Sequence, residues 1–150
     1  MRKLLLYYLQ NIIFTIILLQ LTQYTIVNAI TYFLGFLLIS GVFQKYFDWQ
    51  NYVESHKKYN YITKKIKVYP RLQQTIYLIA GLLFVTQEYL LITSLALFPL
   101  ILVNVHAASR QLQDVKTSRS VFDVSFIKQS ALENFIYASL TFSIIVMLVL

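Results

Sequence analysis

The 150-residue chain has no cysteine, three glycines and two prolines, and only 13% of its residues are charged. Each scarcity excludes something. Without cysteine there is no disulfide, no thiolate nucleophile, and no zinc or iron–sulfur centre held by thiolates. So few glycines supply no Gly-rich phosphate loop, and Gly41 and Gly81 do not make a G-x-x-x-G helix contact. The charge content compares with roughly 25% in a soluble domain. What replaces it is apolar: 58% of residues are hydrophobic, against roughly 45–50% ordinarily, and the mean hydropathy is +0.62. That composition rules out a disordered chain and argues against a soluble globular domain. The length allows one domain.

The few charges are unevenly spaced. Between Lys3 and Lys45 lie 41 uncharged positions. As one helix they would run about 61 Å, roughly twice a hydrocarbon core, so the stretch predicts two spans. Its most polar part, Gln20 to Thr25, is the expected turn, between helices at 4–20 and 25–43. Between Arg71 and Arg110 lie 38 residues with one charge, Glu88. The same argument predicts helices at 72–86 and 89–108, with Glu88 in a solvent-exposed turn. Pro70 precedes the first of these, where a missing N–H costs nothing, and Pro99 should kink the second. A last apolar run covers 134–150, preceded by Ser130-Ala131-Leu132-Glu133, the S-x-x-E pattern of a capping box. Arg2 and Lys3 before an apolar run resemble a secretory signal, but Gln10 and Asn11 interrupt it and no small-residue cleavage site follows, which predicts an uncleaved first helix.

The segments between the runs carry the cations. Segment 44–71 holds Lys45, Lys57, Lys58, Lys64, Lys65, Lys67 and Arg71 against Asp48 and Glu54, a sum of +5. Segment 110–133 sums to +1, and the whole chain to +7. Neither expected turn has a Lys or Arg. By the positive-inside rule the N-terminus and both basic loops face the cytosol or mitochondrial matrix, with the turns and the C-terminus opposite. Within the first loop Trp49, Tyr59 and Tyr61 interleave with Lys57, Lys58, Lys64, Lys65, Lys67 and Arg71. Aromatic residues with lysines can bind single-stranded nucleic acid. Between membrane spans the same mixture reads as contact with anionic lipid headgroups, and no nucleic-acid partner is expected.

Other candidates have structural readings. His56 and His106 lack spaced second ligands, so no metal is expected. Asn28, Thr31 and Gly35 share a helical face suited to helix packing. Val115, Phe122 and Phe126 could form one face of an amphipathic surface helix. No nucleophile–base set, phosphate loop or paired carboxylates can be assembled, so neither an enzyme nor a cofactor is expected.

Ser94-Leu95-Ala96-Leu97-Phe98-Pro99-Leu100, then His106-Ala107-Ala108 and Asp114, resemble the transmembrane protein 33 family, which includes the yeast pore-membrane homologues. Arg119 to Asp123, Gln129, Leu132 and Phe135-Ile136 continue the likeness in the same order, over roughly residues 70–150. Segment 44–71 is longer and more basic than the family pattern. The resemblance implies a non-enzymatic protein of the endoplasmic reticulum and nuclear envelope that associates with reticulon-like partners and influences membrane shape.

The expectation is therefore an all-α polytopic integral membrane protein, two helical hairpins plus a C-terminal apolar helix, that shapes or organises membrane through protein and lipid contacts. The alternative is an accessory subunit of a larger membrane complex, for example in the mitochondrial inner membrane. A third class, a small transporter or channel, would depend on Glu88.

Overall fold

Long runs free of glycine, proline and charge give the backbone no reason to break, and helices occupy nearly all of them. The computed structural model describes residues 2–22, 25–116 and 124–150. Those residues form α1 (Arg2–Leu21), α2 (Ile26–Phe47), α3 (Trp49–Tyr59), α4 (Tyr61–Lys65), α5 (Tyr69–Thr86), α6 (Leu90–Lys116) and α7 (Val124–Val149), and no strand.

The breaks between helices have identifiable causes. Thr25 caps α2, its hydroxyl accepting from the Asn28 N–H at 3.1 Å. Asp48, at φ −118° and ψ 44°, ends α2 and begins α3. Asn60 is extended, and its Oδ1 accepts from the N–H groups of Ile62 and Thr63 to start α4. Pro70 sits in the first turn of α5, where no intrahelical donor is lost. α5 ends at Gln87 in the left-handed region, φ 61°. The Gln87 amide donates to Thr31 Oγ1 of α2 at 2.5 Å and to the Phe84 carbonyl at 2.9 Å. This anchoring holds a non-glycine residue in that strained conformation. Glu88 follows, exposed, in the short turn before α6.

Several boundaries differ from expectation. Segment 44–71 is not a loop: α3, α4 and the start of α5 occupy most of it. One face of α3 is buried through Tyr52, Ser55 and Tyr59, and that stripe makes it a helix. α6 extends beyond 108 to Lys116, and Pro99 lies inside it. α7 starts at Val124, so Ser130 and Glu133 are interior helical residues and not a capping box. The Ser130 carbonyl accepts from the Asn134 side-chain amide, and Glu133 is paired with Lys45 of α2. An acid with a buried cationic partner need not mark a helix end. Gln23 and Tyr24 of the expected turn lie outside the described residues, as do the side chains proposed for an amphipathic helix around Val115, Phe122 and Phe126.

α2 is central, packing on α1, α5 and α7, while α6 packs most extensively on α7. The core is formed by Leu34, Leu37, Leu38 and Val42 of α2 with Tyr77 and Phe84 of α5, Leu97 and Ile101 of α6, and Tyr137 and Ile144 of α7. α2 and α5 approach closely at Gly35 and Gly81. A Cβ on Gly35 would stand 2.8 Å from the Gly81 carbonyl oxygen. The two glycines that are far apart in sequence thus act together as a small-residue contact.

The surface is apolar and the interior partly polar. Outward-facing large apolar residues include Leu5, Ile13 and Ile17 of α1, Ile79 and Leu82 of α5, Ile92 and Leu102 of α6, and Phe135 and Phe142 of α7. Asn11, Thr31, Gln74, Asn104, Asn134 and Thr141 are buried. Water favours the reverse arrangement; a lipid solvent favours this one. Among the described residues three helices are long and apolar enough to cross a membrane, Ile26–Phe47, Leu90–Asp114 and Ser130–Val149, and α1 carries a shorter apolar stretch, Leu5–Leu21. These helices suggest a membrane-embedded protein.

Candidate functional site

The chemistry-bearing side chains gather where α2 ends, α5 begins, α6 ends and α7 begins. At the centre Lys45 Nζ stands 3.6 Å from Glu133 Oε2, and the two side chains are only 12% and 5% exposed. Lys45 Nζ also lies 5.9 Å from the ring centroid of Tyr77 and 5.7 Å from that of Tyr137. The quadrupoles of two aromatic faces add to the carboxylate in holding this ammonium away from water. Tyr7 of α1 and Tyr137 of α7 both donate to the Leu37 carbonyl of α2, at 3.0 and 3.1 Å. Gly41 makes room for this: a Cβ there would collide with the Tyr137 hydroxyl. Asn11 of α1 accepts from the Ser40 hydroxyl at 3.0 Å.

A second layer joins the bundle to α3 and α4. Asn104 of α6 donates to the Tyr77 hydroxyl at 2.5 Å and accepts from Asn60 at 3.1 Å. Gln74 donates to the Tyr52 hydroxyl, and Gln111 to that of Ser55. Tyr52, Ser55, His56, Tyr59, Asn60, Asn104, Gln111 and Asn134 line a cavity of about 20 Å³, room for one water molecule. His56 packs on Tyr52, with ring centroids 4.4 Å apart, and its enclosed Nδ1 has no hydrogen-bond partner among the described residues. Burial, aided by the Lys45 charge, pushes the imidazole down to about 3. It is neutral at physiological pH and a weak base there. Burial also pushes the Tyr52 hydroxyl well above the usual phenol range. Among the described residues no three His, Asp or Glu side chains converge on a point that could hold a metal ion.

The residues expected to meet lipid are divided by the fold. Trp49 and Lys57 of α3, Lys64 of α4, Lys67 in the following connection and Arg71 of α5 line one open groove of about 560 Å³, with Val53, Thr63, Val68 and Pro70. No acid lines it. Trp49 stacks on Tyr46 at a centroid distance of 5.3 Å and meets the tilted ring of Tyr52 at 5.5 Å. Lys58 and Tyr59 lie elsewhere, on the α3–α6 seam. Asp114 Oδ2 accepts from the Tyr59 hydroxyl at 2.8 Å and lies 3.5 Å from Lys58 Nζ. Hydrogen bonding to Tyr59, with a contribution from Asp114, raises the Lys58 pKa. Lys65 lies over the Tyr61 ring, 4.7 Å from its centroid. Tyr61 lines a separate hollow with Ile62, Leu102, His106 and Arg110.

Sequence reasoning treated Lys45 as one more loop charge and Glu133 as a cap. The signal that could have joined them was their position: each is an isolated charge at the edge of an apolar run. No family model, curated protein or solved structure matches the chain.

Proposed function

We propose that this is a non-enzymatic integral membrane protein that shapes or organises the membrane around it through protein and lipid contacts. The observation that carries this reading is the pairing of an apolar outer surface with a partly polar interior and a cationic platform, α3–α4, at one end. In this reading α1 and α2 form one membrane hairpin, α5 and α6 a second, and α7 a further span. The N-terminus and the cationic platform face the cytosol, as the distribution of Lys and Arg favours. The platform then adds protein volume and positive charge to one leaflet, which is how such a protein would bias curvature. The endoplasmic reticulum and nuclear envelope, with reticulon-like partners, are the location and company that the residues resembling the transmembrane protein 33 family favour.

The test is reconstitution into liposomes of mixed diameter. The protein should withstand alkaline extraction and enrich in the most curved vesicles. Uniform distribution across diameters with no change in vesicle shape would remove the membrane-shaping role.

A second reading, an accessory subunit of a larger membrane complex, is favoured by α1. That helix packs chiefly on α2 and turns Leu5, Leu9, Ile13 and Ile17 outward, a face that a neighbouring subunit could cover. Native gel electrophoresis in gentle detergent separates the readings: stoichiometric migration with fixed partners supports the subunit, and migration as a small species supports the first.

A further inference from the structure

We propose that the groove between α3, α4 and α5 is a binding site for the multiply phosphorylated headgroup of an anionic lipid. This deepens the reading above and rests on it. Four cations, Lys57, Lys64, Lys67 and Arg71, come from α3, α4, the following connection and α5 to line one concavity of about 560 Å³. A general affinity for acidic membranes requires only cations spread over a surface. Here the fold sorts them: Lys58 is turned to Asp114 and Lys65 lies over Tyr61, while these four share a wall with no acid among the described residues. A headgroup with one negative charge would balance only part of that cluster; several phosphates on one ring match it. Lys and Arg are suited to phosphate oxygens, and arginine can engage two at once.

Thr63 supplies an independent observation. It is 2% exposed, lies in the groove wall, and its hydroxyl has no hydrogen-bond partner among the described residues. A buried hydroxyl without a partner carries a desolvation cost, which a phosphate oxygen would relieve once the wall yields enough to admit it. The apolar surroundings favour a lipid over a soluble phosphate compound. Trp49, Val53 and Val68 line the same groove, and the exposed apolar flank of α5 begins at Leu72, directly after Arg71, and continues at Ile79. A headgroup in the groove would leave its acyl chains beside that flank.

Trp49 is the only tryptophan in the chain and lies in the groove wall, so its emission reports on occupancy. The protein in neutral detergent would be titrated with short-chain phosphatidylinositol bisphosphate, then with inositol trisphosphate, inorganic phosphate and short-chain phosphatidylserine. A saturable change with the bisphosphate lipid is expected, at lower concentration than with any of the other three. Each of Lys64→Gln, Lys67→Gln and Arg71→Gln should weaken it about fivefold. Lys58→Gln and Lys65→Gln, which remove the same charge outside the groove, should leave it unchanged. Equal weakening by both sets would reduce the effect to net charge and overturn the site. Equal affinity for inositol trisphosphate or inorganic phosphate would overturn the lipid assignment, and equal affinity for phosphatidylserine the multiply phosphorylated one. Alkaline extraction of the same variants from membranes reports separately on whether the chain is embedded, so loss of the groove and loss of the membrane reading are distinguishable.

Discussion

Lys45 on α2 and Glu133 on α7 meet at 3.6 Å with almost no access to water. Replacing Glu133 with Gln leaves Lys45 charged, enclosed by two tyrosine rings and without its carboxylate. Loss of one partner of a buried pair typically costs about 3–5 kcal/mol. Glu133→Gln should therefore lower the midpoint of thermal unfolding in detergent markedly. The double change Lys45→Met with Glu133→Leu removes both charges and should recover most of the loss.

The Gly35–Gly81 crossing sets the spacing of α2 and α5. An alanine Cβ at Gly35 would meet the Gly81 carbonyl at 2.8 Å, and one at Gly81 would meet Ile39 Cγ1 at 2.8 Å. The nearest obstacle at Gly35 is backbone; at Gly81 it is a side-chain carbon, with the Gly35 carbonyl oxygen next at 3.0 Å. Gly35→Ala should thus destabilise more than Gly81→Ala, with the larger effect about 1–3 kcal/mol. Thermal scans of both variants in one detergent give the order; a reversed order would contradict this account of the crossing.

Asn104 serves two partners on two other elements, Tyr77 of α5 and Asn60 at the start of α4. Asn104→Leu is close in size but strands the Asn60 amide and removes the donor to Tyr77. The expected loss is about 1–3 kcal/mol per stranded group. Because Asn60 also starts α4, limited proteolysis between 59 and 66 should accelerate in this variant. Unchanged cleavage would show that α4 is held by other contacts.

His56 makes stability depend on pH in a definite direction. Its imidazole is pushed from 6.5 to about 3 in the folded protein. The unfolded chain therefore takes up a proton below about pH 6.5 that the folded chain refuses until about pH 3. Stability from this group is fully present above the unfolded value and is lost as pH falls through that window. His56→Gln should flatten the decline in unfolding temperature between those limits. A parallel decline in both proteins would assign the acid sensitivity to other groups.

The apolar helices, the start of α2 at Thr25, the helix start at Pro70 and the exposed turn at Glu88 were legible because each depends on local chain chemistry. α3 was harder. Its buried stripe, Tyr52, Ser55 and Tyr59, mixes hydroxyls with aromatic rings, and beside so many lysines it reads as an interfacial loop. The start of α7 was missed for a different reason: Glu133 looks like a terminus until Lys45 is brought to it by the packing of α2 on α7. Five of the nine residues expected at the lipid surface share one groove, and which five depends on where α3, α4 and α5 converge, something no spacing in the sequence encodes.

Asp48 is a single-residue joint between α2 and α3. One turn before it Lys45 is tied to α7, and one turn after it Tyr52 is tied to α5 through Gln74. A joint pinned on both sides does not act as a hinge. A load applied to α3 and α4 would therefore pass into α5 and α7 through these two contacts, and the platform and the bundle would turn as one lever.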